Sequence, residues 1–228
     1  ELELFQHAKN WKEYYGSLIQ PLLRGRVLEV GGGIGGTTQH LCNDSQDHWT
    51  VLEPDPALMH EMRERFRSTP LPISTVAVEG TLESLEPGSQ FDAILYIDVL
   101  EHIEHDQAEL RNASVHLAAG GSLIVLAPAH QFLYSPFDEA IGHFRRYSRK
   151  SLRAVGPSGL RLDSLRYLDS VGMAASLGNR LLLKSAQPTL GQIKFWDSTL
   201  VRLSRLVDPL LAYRVGKTVI AVWSKPSP

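Results

Sequence analysis

The chain has 228 residues, of which 43% are hydrophobic, and this suits one α/β domain with a modest insertion. Its formal net charge is −2 and it carries no long run of Lys and Arg, which argues against a nucleic-acid partner. The single cysteine, Cys42, excludes an intramolecular disulfide and favours a reducing, cytoplasmic location. Neither a signal peptide nor an apolar run of about 18 residues is visible, so we expect no transmembrane segment.

Short apolar runs alternate with amphipathic segments, a pattern typical of a parallel sheet with helices on both faces. A cap helix is predicted within residues 1–20, and the Gly120-Gly121 pair is expected to end the helix over 107–117 as a C-cap. The predicted strands are 26–30, 49–53, 73–78, 91–97, 122–127, 160–168 and 217–223. The other predicted helices are 37–42, 57–66, 148–154, 173–184 and 199–206. We expect a single domain over residues 1–228.

A glycine-rich loop, Glu-Val-Gly-Gly-Gly-Ile-Gly-Gly over residues 29–36, follows the first strand and opens a helix. Glycines permit a tight turn and a close approach of the backbone to a ligand, and the free N–H groups of the helix start favour an anion. Glu53 ends the second strand, where a carboxylate can accept both hydrogen bonds of a ribose diol. The loop also satisfies the dinucleotide pattern G-x-G-x-x-G, so by itself it does not choose the cofactor.

Three motifs together resemble those of the class I methyltransferases that depend on S-adenosylmethionine (SAM). Glu29-x-Gly31-x-Gly33-x-Gly35 is similar to their first motif, and Glu53-Pro54-Asp55 is similar to their second. The stretch 91–103, Phe-Asp-Ala-Ile-Leu-Tyr-Ile-Asp-Val-Leu-Glu-His-Ile, resembles their fourth-strand motif. The resemblance covers roughly residues 10–126 and implies a Rossmann-like sheet, mostly parallel with an antiparallel C-terminal strand.

The resemblance also implies a cofactor, SAM, with S-adenosylhomocysteine as the product. Glu29 and Gly31 would hold the methionine amino group and carboxylate, and Glu53 would bind the ribose hydroxyls. Asp98 and Val99 would border the methionyl group. The residues predicted to bind the cofactor are Tyr15, Glu29, Gly31, Gly32, Gly33, Gly35, Glu53, Pro54, Gly80, Thr81, Leu82, Asp98 and Val99.

The segment after the third strand departs from the family pattern. The family often has Gly-Asp there, with the Asp near the adenine amino group, whereas this chain has Glu79-Gly80-Thr81-Leu82. Thr81 occupies the position of the Asp. We therefore expect its hydroxyl and the backbone of Leu82 to contact the adenine.

The segment 128–147, between the fifth strand and the next helix, is the predicted acceptor site, because ligands of open α/β sheets bind beyond the carboxyl ends of the strands. His143 is the candidate general base, with Asp138 or Glu139 to orient it, and His130 is a second catalytic candidate. Arg145 or Arg146 could hold an anionic acceptor, as the adjacent basic side chains suggest. The alternative is a lid whose polar groups satisfy one another.

No metal is predicted, because methyl transfer from a sulfonium needs none and no metal-ligand spacing is visible. His102 and His105 could share one helical face and are interpreted as cap or surface residues. The helical insertion 172–210 is interpreted as a packed subdomain, with an apolar acceptor pocket, a homodimer face and membrane contact as alternatives.

The resemblance to this family implies methyl transfer to a small-molecule acceptor, and we favour the oxygen of a hydroxyl or carboxylate. The run 142–147, Gly-His-Phe-Arg-Arg-Tyr, resembles a segment of bacterial methyltransferases of secondary metabolism, which implies that setting. The alternatives are N-methylation, peptide or protein methylation, and a SAM- or NAD-binding module without catalysis. A reductase motif, Tyr213-x-x-x-Lys217, matches in letters but runs into the last predicted strand, so we interpret it as a chance match.

Overall fold

The computed structural model describes residues 6–182 and 189–227, and within them seven strands form one sheet. The strands are β1 Gly25–Val30, β2 Gln46–Glu53, β3 Thr75–Glu79, β4 Phe91–Ile97, β5 Leu117–Pro128, β6 Arg161–Leu168 and β7 Thr218–Ser224. Their order is β3-β2-β1-β4-β5-β7-β6, and β7 is antiparallel to both of its neighbours while the other pairs are parallel. The predicted fold class, a mostly parallel sheet with an antiparallel C-terminal strand, is confirmed.

Helices cover both faces of this sheet. The α-helices are α1 Lys9–Ile19, α2 Gly36–Leu41, α3 Pro56–Ser68, α4 Asp106–Val115, α5 Pro136–Ala140, α6 Arg149–Val155, α7 Ser170–Leu182, α8 Leu190–Phe195 and α9 Arg202–Leu210. Val27 and Leu28, neighbours on β1, belong to two different buried clusters, as expected for a strand buried on both sides. Among these helices of the described residues, none is long and apolar enough to cross a membrane.

The predicted C-cap at Gly120-Gly121 is wrong. Helix α4 ends at Val115, and both glycines lie inside β5, where the pairing with β4 shifts register. Gly120 has φ +77°, and a Cβ on Gly121 would come within 2.9 Å of the Ala118 carbonyl oxygen. The glycine pair therefore marks a bulge inside the strand, where Gly120 supplies the positive φ and the neighbouring backbone crowds the Cβ position of Gly121.

The insertion before β7 contains more helical segments than the two predicted from the sequence. Its described part holds α7, α8, a π-helical turn at Trp196–Val201 and α9; residues 183–188 of the predicted insertion lie outside the described residues. On α9, the side chains of Leu203, Leu206 and Leu210 are exposed.

Buried carboxylates connect this insertion to α1. Asp197 accepts hydrogen bonds from the backbone N–H groups of Asn10 (3.2 Å) and Trp11 (2.8 Å), in the first turn of α1. Asp208 accepts from the Tyr14 hydroxyl at 2.7 Å and from the Asp169 backbone N–H at 2.7 Å. Since the first-turn N–H groups of a helix have no partner within it, Asp197 supplies acceptors that α1 lacks.

Candidate cofactor and acceptor site

Backbone hydrogen bonds hold the glycine loop against the end of β2. Gly31 and Gly32 both donate to the Leu52 carbonyl, at 2.8 and 2.9 Å. Gly31, Gly33 and Gly35 have φ values of +71°, +55° and +79°, a region that glycine adopts without a steric penalty. The loop therefore turns sharply at the carboxyl ends of β1 and β2, where the sequence predicted a ligand.

Two predicted cofactor residues of this loop have packing reasons to be glycine. A Cβ on Gly32 would collide with the side chain of Val51, and one on Gly35 would stand 2.6 Å from Phe66 Cε1. A Cβ on Gly31 would instead stand 2.6 Å from Val99 Cγ2. Gly31 and Val99, from the loops after β1 and β4, are therefore brought into contact at the predicted methionyl position.

Glu53 is held by the loop it faces. Its Oε2 accepts from the Gly33 N–H at 2.7 Å and its Oε1 accepts from the Asp55 N–H at 3.0 Å. The residue is 5% exposed. A carboxylate oxygen has two lone pairs, so each oxygen keeps a position for a ligand hydroxyl.

Glu29 lies beneath the same loop and is 2% exposed. Its Oε2 accepts from the Thr38 hydroxyl at 2.7 Å and from the Trp49 indole N–H at 3.1 Å. Burial raises the pKa of Glu29 to about 7, although these two hydrogen bonds act to lower it. The carboxyl group therefore sits near the midpoint of its titration at neutral pH.

Helix α1 contacts the loop from the opposite side. The hydroxyl of Tyr15, a predicted cofactor residue, lies 3.5 Å from Thr37 Oγ1 at the start of α2. Lys12, which the sequence analysis missed, places Nζ 3.4 Å from the Gly36 carbonyl, and burial lowers its pKa. Lys12 is three residues from Tyr15, and this helical spacing was the signal that both side chains reach the loop.

The remaining predicted cofactor residues lie along the same edge of the sheet. Pro54 and Thr81 are exposed, whereas the Leu82 side chain is buried in the core, so a contact of Leu82 with a ligand would come from its backbone. Gly80 donates to the Glu53 carbonyl at 3.0 Å. Asp98 is exposed and has φ +54°, a strained conformation of the kind that concentrates at functional sites.

Segment 128–147 folds onto the loop that follows β4. The Phe144 N–H donates to the Glu101 carbonyl at 2.8 Å, and the Tyr147 hydroxyl donates to Asp106 at 2.7 Å. Arg145 binds the carbonyls of Ile103 and Glu104 at 3.0 and 2.9 Å, in addition to the Asp106 carboxylate at 2.7 Å. Arg145 is thus engaged within the protein rather than open to an anionic acceptor.

Asp138 is a shared hydrogen-bond partner of several polar side chains in this segment. Arg146 binds it with two N–H groups, at 2.7 and 2.9 Å, and His143 Nδ1 lies 3.0 Å from its Oδ1. Burial acts to raise the pKa of Asp138, but the hydrogen bonds from His143 and Arg146 outweigh it and hold that pKa below the usual range. Asp138 is therefore an ionised carboxylate that orients His143, one of the two partners proposed from the sequence.

The other ring nitrogen of His143 faces the loop after β4. Nε2 lies 3.7 Å from Glu101 Oε1, and the ring meets the His102 ring edge-on with centroids 4.5 Å apart. The His143 side chain is 7% exposed, while His102 is exposed. The sequence did not bring these three residues together, because about 40 residues separate His143 from the other two.

His130, the second catalytic candidate, occupies a different environment. Its Nε2 donates to the Gly216 carbonyl at 3.0 Å, and its ring lies against Phe132 and Tyr167. Burial lowers the pKa of His130 below its usual value, which favours the neutral ring. These contacts fix the ring, and one of its nitrogens is occupied by the backbone.

Comparisons with known proteins agree with this architecture. Residues 28–123 match a family described as a methyltransferase domain. Ajmaline N-methyltransferase of Rauvolfia serpentina is 26% identical over 134 residues, which are 58% of this chain. The match covers 44% of that relative, so the chain spans less than half of its length.

Solved structures share the fold at low sequence identity. A SAM-dependent methyltransferase from Clostridium acetobutylicum has a TM-score of 0.60 at 12% identity, over 96% of this chain and 92% of that one. The N-methyltransferase NodS from Bradyrhizobium japonicum, in complex with S-adenosylhomocysteine, has a TM-score of 0.59 at 14% identity, over 95% of this chain and 87% of that one. At such identities the likeness establishes a common fold.

Proposed function

We propose that this chain is a class I SAM-dependent methyltransferase and that it transfers a methyl group from SAM to an oxygen of a small-molecule acceptor, because residues 28–123 match a methyltransferase-domain family and the fold is that of a SAM-dependent methyltransferase. The observation that carries the proposal is His143, oriented by Asp138 beside the loop after β4. In parallel sheets this edge receives the ligands, and here it also holds the glycine loop.

The cofactor half of the proposal rests on the loop geometry. Glu53 accepts one backbone hydrogen bond on each oxygen and would accept the ribose hydroxyls with the remaining lone pairs, and Glu29, buried beneath the loop, would bind the methionine ammonium group. Asp98 and Val99 would border the methionyl chain on the β4 side. Tyr15 and Lys12 would contact the end of the loop from α1, through Thr37 and Gly36.

The acceptor half rests on proton chemistry. When the Nδ1–H group of His143 donates a hydrogen bond to Asp138, the ring proton stays on Nδ1 and Nε2 has the free lone pair. A general base accepts a proton with that lone pair. The acceptor oxygen attacks the methyl carbon, the carbon–sulfur bond breaks, and the sulfonium becomes a neutral thioether. The hydroxyl proton passes to Nε2 of His143.

An amine acceptor is the second candidate, favoured by the similarity to ajmaline N-methyltransferase. A neutral amine already has a lone pair and needs no base to expose it. Methylation of an amine would therefore depend on His143 for positioning at most, and this difference separates the two candidates.

The test has two stages. Calorimetry should show that S-adenosylhomocysteine binds at micromolar concentrations or below and that NAD and NADP do not compete; preferential NAD binding would overturn the proposal. Labelled SAM is then offered with matched libraries of phenols, carboxylic acids and amines. Turnover confined to phenols and other hydroxyl compounds, and lost in His143→Ala, supports oxygen methylation with a base. Turnover of amines alone, unaffected by that substitution, would support the second candidate.

A further inference from the structure

Glu101, His102 and His143 form a cluster whose potential ligand atoms all lie within 4.8 Å of one another. Glu101 and His143 have buried side chains, exposed by 1% and 7%, whereas His102 is exposed to solvent. The cluster therefore has two fixed members in the interior and one at the surface, where a small ion can enter.

The protein fixes this cluster from both sides. Glu101 and His102 lie on the 3-10 turn Leu100–His102, directly after β4, and His143 lies on segment 128–147. The hydrogen bond from the Phe144 N–H to the Glu101 carbonyl, at 2.8 Å, joins the two segments next to the cluster. The two segments that carry the three side chains are thus joined by a backbone contact that does not depend on a ligand.

The distance between the two buried members of the cluster is compatible with a shared cation. Glu101 Oε1 and His143 Nε2 are 3.7 Å apart, which is too long for a hydrogen bond. Two ligands that share a tetrahedral cation, with bonds of about 2.0–2.2 Å, stand about 3.3–3.6 Å apart. The pair therefore needs to move only a few tenths of an ångström to share a cation.

The contact of His143 with Asp138 is the one that metal-binding histidines usually make. A ligating histidine commonly donates its other N–H to a carboxylate, which fixes the ring and leaves the ligating nitrogen without a proton. Here the 3.0 Å contact with Asp138 involves Nδ1, and Nε2 faces Glu101. Asp138 is itself held by Arg146 through two hydrogen bonds.

We propose that Glu101, His102 and His143 bind a divalent cation of the borderline class, such as Zn²⁺, Co²⁺ or Ni²⁺. Two imidazoles and one carboxylate suit these ions better than Mg²⁺ or Ca²⁺, which prefer oxygen ligands. Three protein ligands leave a coordination position for water or for an acceptor oxygen. This contrasts with the sequence analysis, which predicted no metal.

Cation binding and base catalysis use the same lone pair of His143 and therefore exclude each other at any one moment. With a cation bound, the cation's charge would lower the pKa of an acceptor hydroxyl at the open position, and that hydroxyl would release its proton to solvent water rather than to His143. The binding site itself rests on the three side chains and does not depend on the proposed function. Its test accordingly uses no acceptor and no SAM.

The experiment titrates the chelator-treated full chain with Co²⁺ and follows visible absorption, with Zn²⁺ as the competitor. We expect one Co²⁺ per chain, displaced by Zn²⁺, and an affinity at least tenfold lower in His102→Ala. His105→Ala, an exposed histidine three residues away, is the matched control and should bind like the parent. Thermal unfolding of the metal-free proteins checks that both variants are folded.

A second measurement does not depend on variants. In ¹⁵N spectra of the histidine side chains, Zn²⁺ should shift the resonances of His102 and His143 and leave that of His105 in place. No saturable Co²⁺ binding by the parent, equal affinity in His102→Ala, or Zn²⁺ shifts confined to other histidines would each overturn the proposal.

Discussion

The two halves of the candidate site are built in different ways. Around the glycine loop, backbone groups make the contacts: Gly31 and Gly32 bind the Leu52 carbonyl, and Gly33 binds Glu53 from the adjacent strand end. In the acceptor half, side chains make them, as in the contacts of His143 with Asp138 and Glu101. The contacts of the cofactor half are determined by the strand order and by the glycines. Those of the acceptor half depend on side chains, so substitutions there can change the reaction without altering the sheet.

The largest effect is expected in the acceptor half. Replacing His143 with alanine should lower kcat for a hydroxyl acceptor by about 10²–10⁴, because a general base contributes about that much. The affinity for S-adenosylhomocysteine should stay nearly constant, since the cofactor half is held by its own backbone contacts. Steady-state kinetics and calorimetry on the same preparation check both parts.

His105→Ala is the control for this first prediction, since His105 is exposed and lies outside the cluster. An unchanged kcat and KM in His143→Ala would remove His143 from catalysis and make segment 128–147 a structural lid. A loss of cofactor affinity of the same size as the loss of kcat would show that the two halves are not separable.

In the cofactor half, Glu53→Ala should weaken S-adenosylhomocysteine binding by roughly 1.5–3 kcal/mol, the usual value of hydrogen bonds to a charged group. The substitution removes the acceptor of the Gly33 N–H as well as the proposed ribose contact. Glu79, the register partner of Glu53 on β3, is exposed, so Glu79→Ala should bind like the parent. Equal affinity in the two variants, measured by calorimetry, would place the ribose contact elsewhere.

Gly31→Ala tests whether cofactor binding depends on the backbone conformation of the glycine loop. The left-handed conformation of residue 31 costs an alanine about 1–2 kcal/mol. Gly88 has φ +83° and open space around its Cβ position, so Gly88→Ala has the same backbone penalty without the contact with Val99. Gly31→Ala should lower the free energy of unfolding by more than Gly88→Ala does, and it alone should weaken cofactor binding. Thermal unfolding measures the first effect and calorimetry the second. Equal effects in both variants would contradict the tight contact.

The smallest expected effect is a pH dependence from Glu29. Burial raises the pKa of this carboxyl to about 7, so it is mostly ionised at pH 8 and mostly protonated at pH 6. An ammonium group binds the ionised form, and S-adenosylhomocysteine should therefore bind about tenfold more weakly at pH 6 than at pH 8. Glu29→Gln should flatten this profile, and exposed Glu86→Gln should leave it unchanged. A flat profile in the parent would rule out this role for Glu29.

The sheet could be predicted because its signals are local. Strand β4 has the predicted bounds, Phe91–Ile97, since a continuous apolar run in a parallel sheet is buried on both faces. The glycine pair at 120–121 was misassigned because glycine favours both helix ends and bulges, and only the pairing partner decides between them. The local sequence does not determine the register of β5 with β4.

The site was predictable to different extents for the same reason. Gly31 and Glu53 lie at strand ends in adjacent positions, so their proximity follows from the order of the strands. The approach of His143 to Glu101 and His102 depends on how segment 128–147 folds back, and no periodicity encodes that. His102 was interpreted as a surface residue, correctly for its exposure, but its neighbours were not foreseen.

The buried carboxylates of the insertion have a consequence for how this fold can be recombined. Asp197 supplies the hydrogen-bond acceptors for the first turn of α1, and Asp208 binds Tyr14 in its middle. A chimaera that keeps this α1 but receives an insertion without these two carboxylates would leave the Trp11 N–H and the Tyr14 hydroxyl without acceptors in the interior. Helix α1 and the insertion therefore form one unit of exchange, and a graft of either one has to transfer both together.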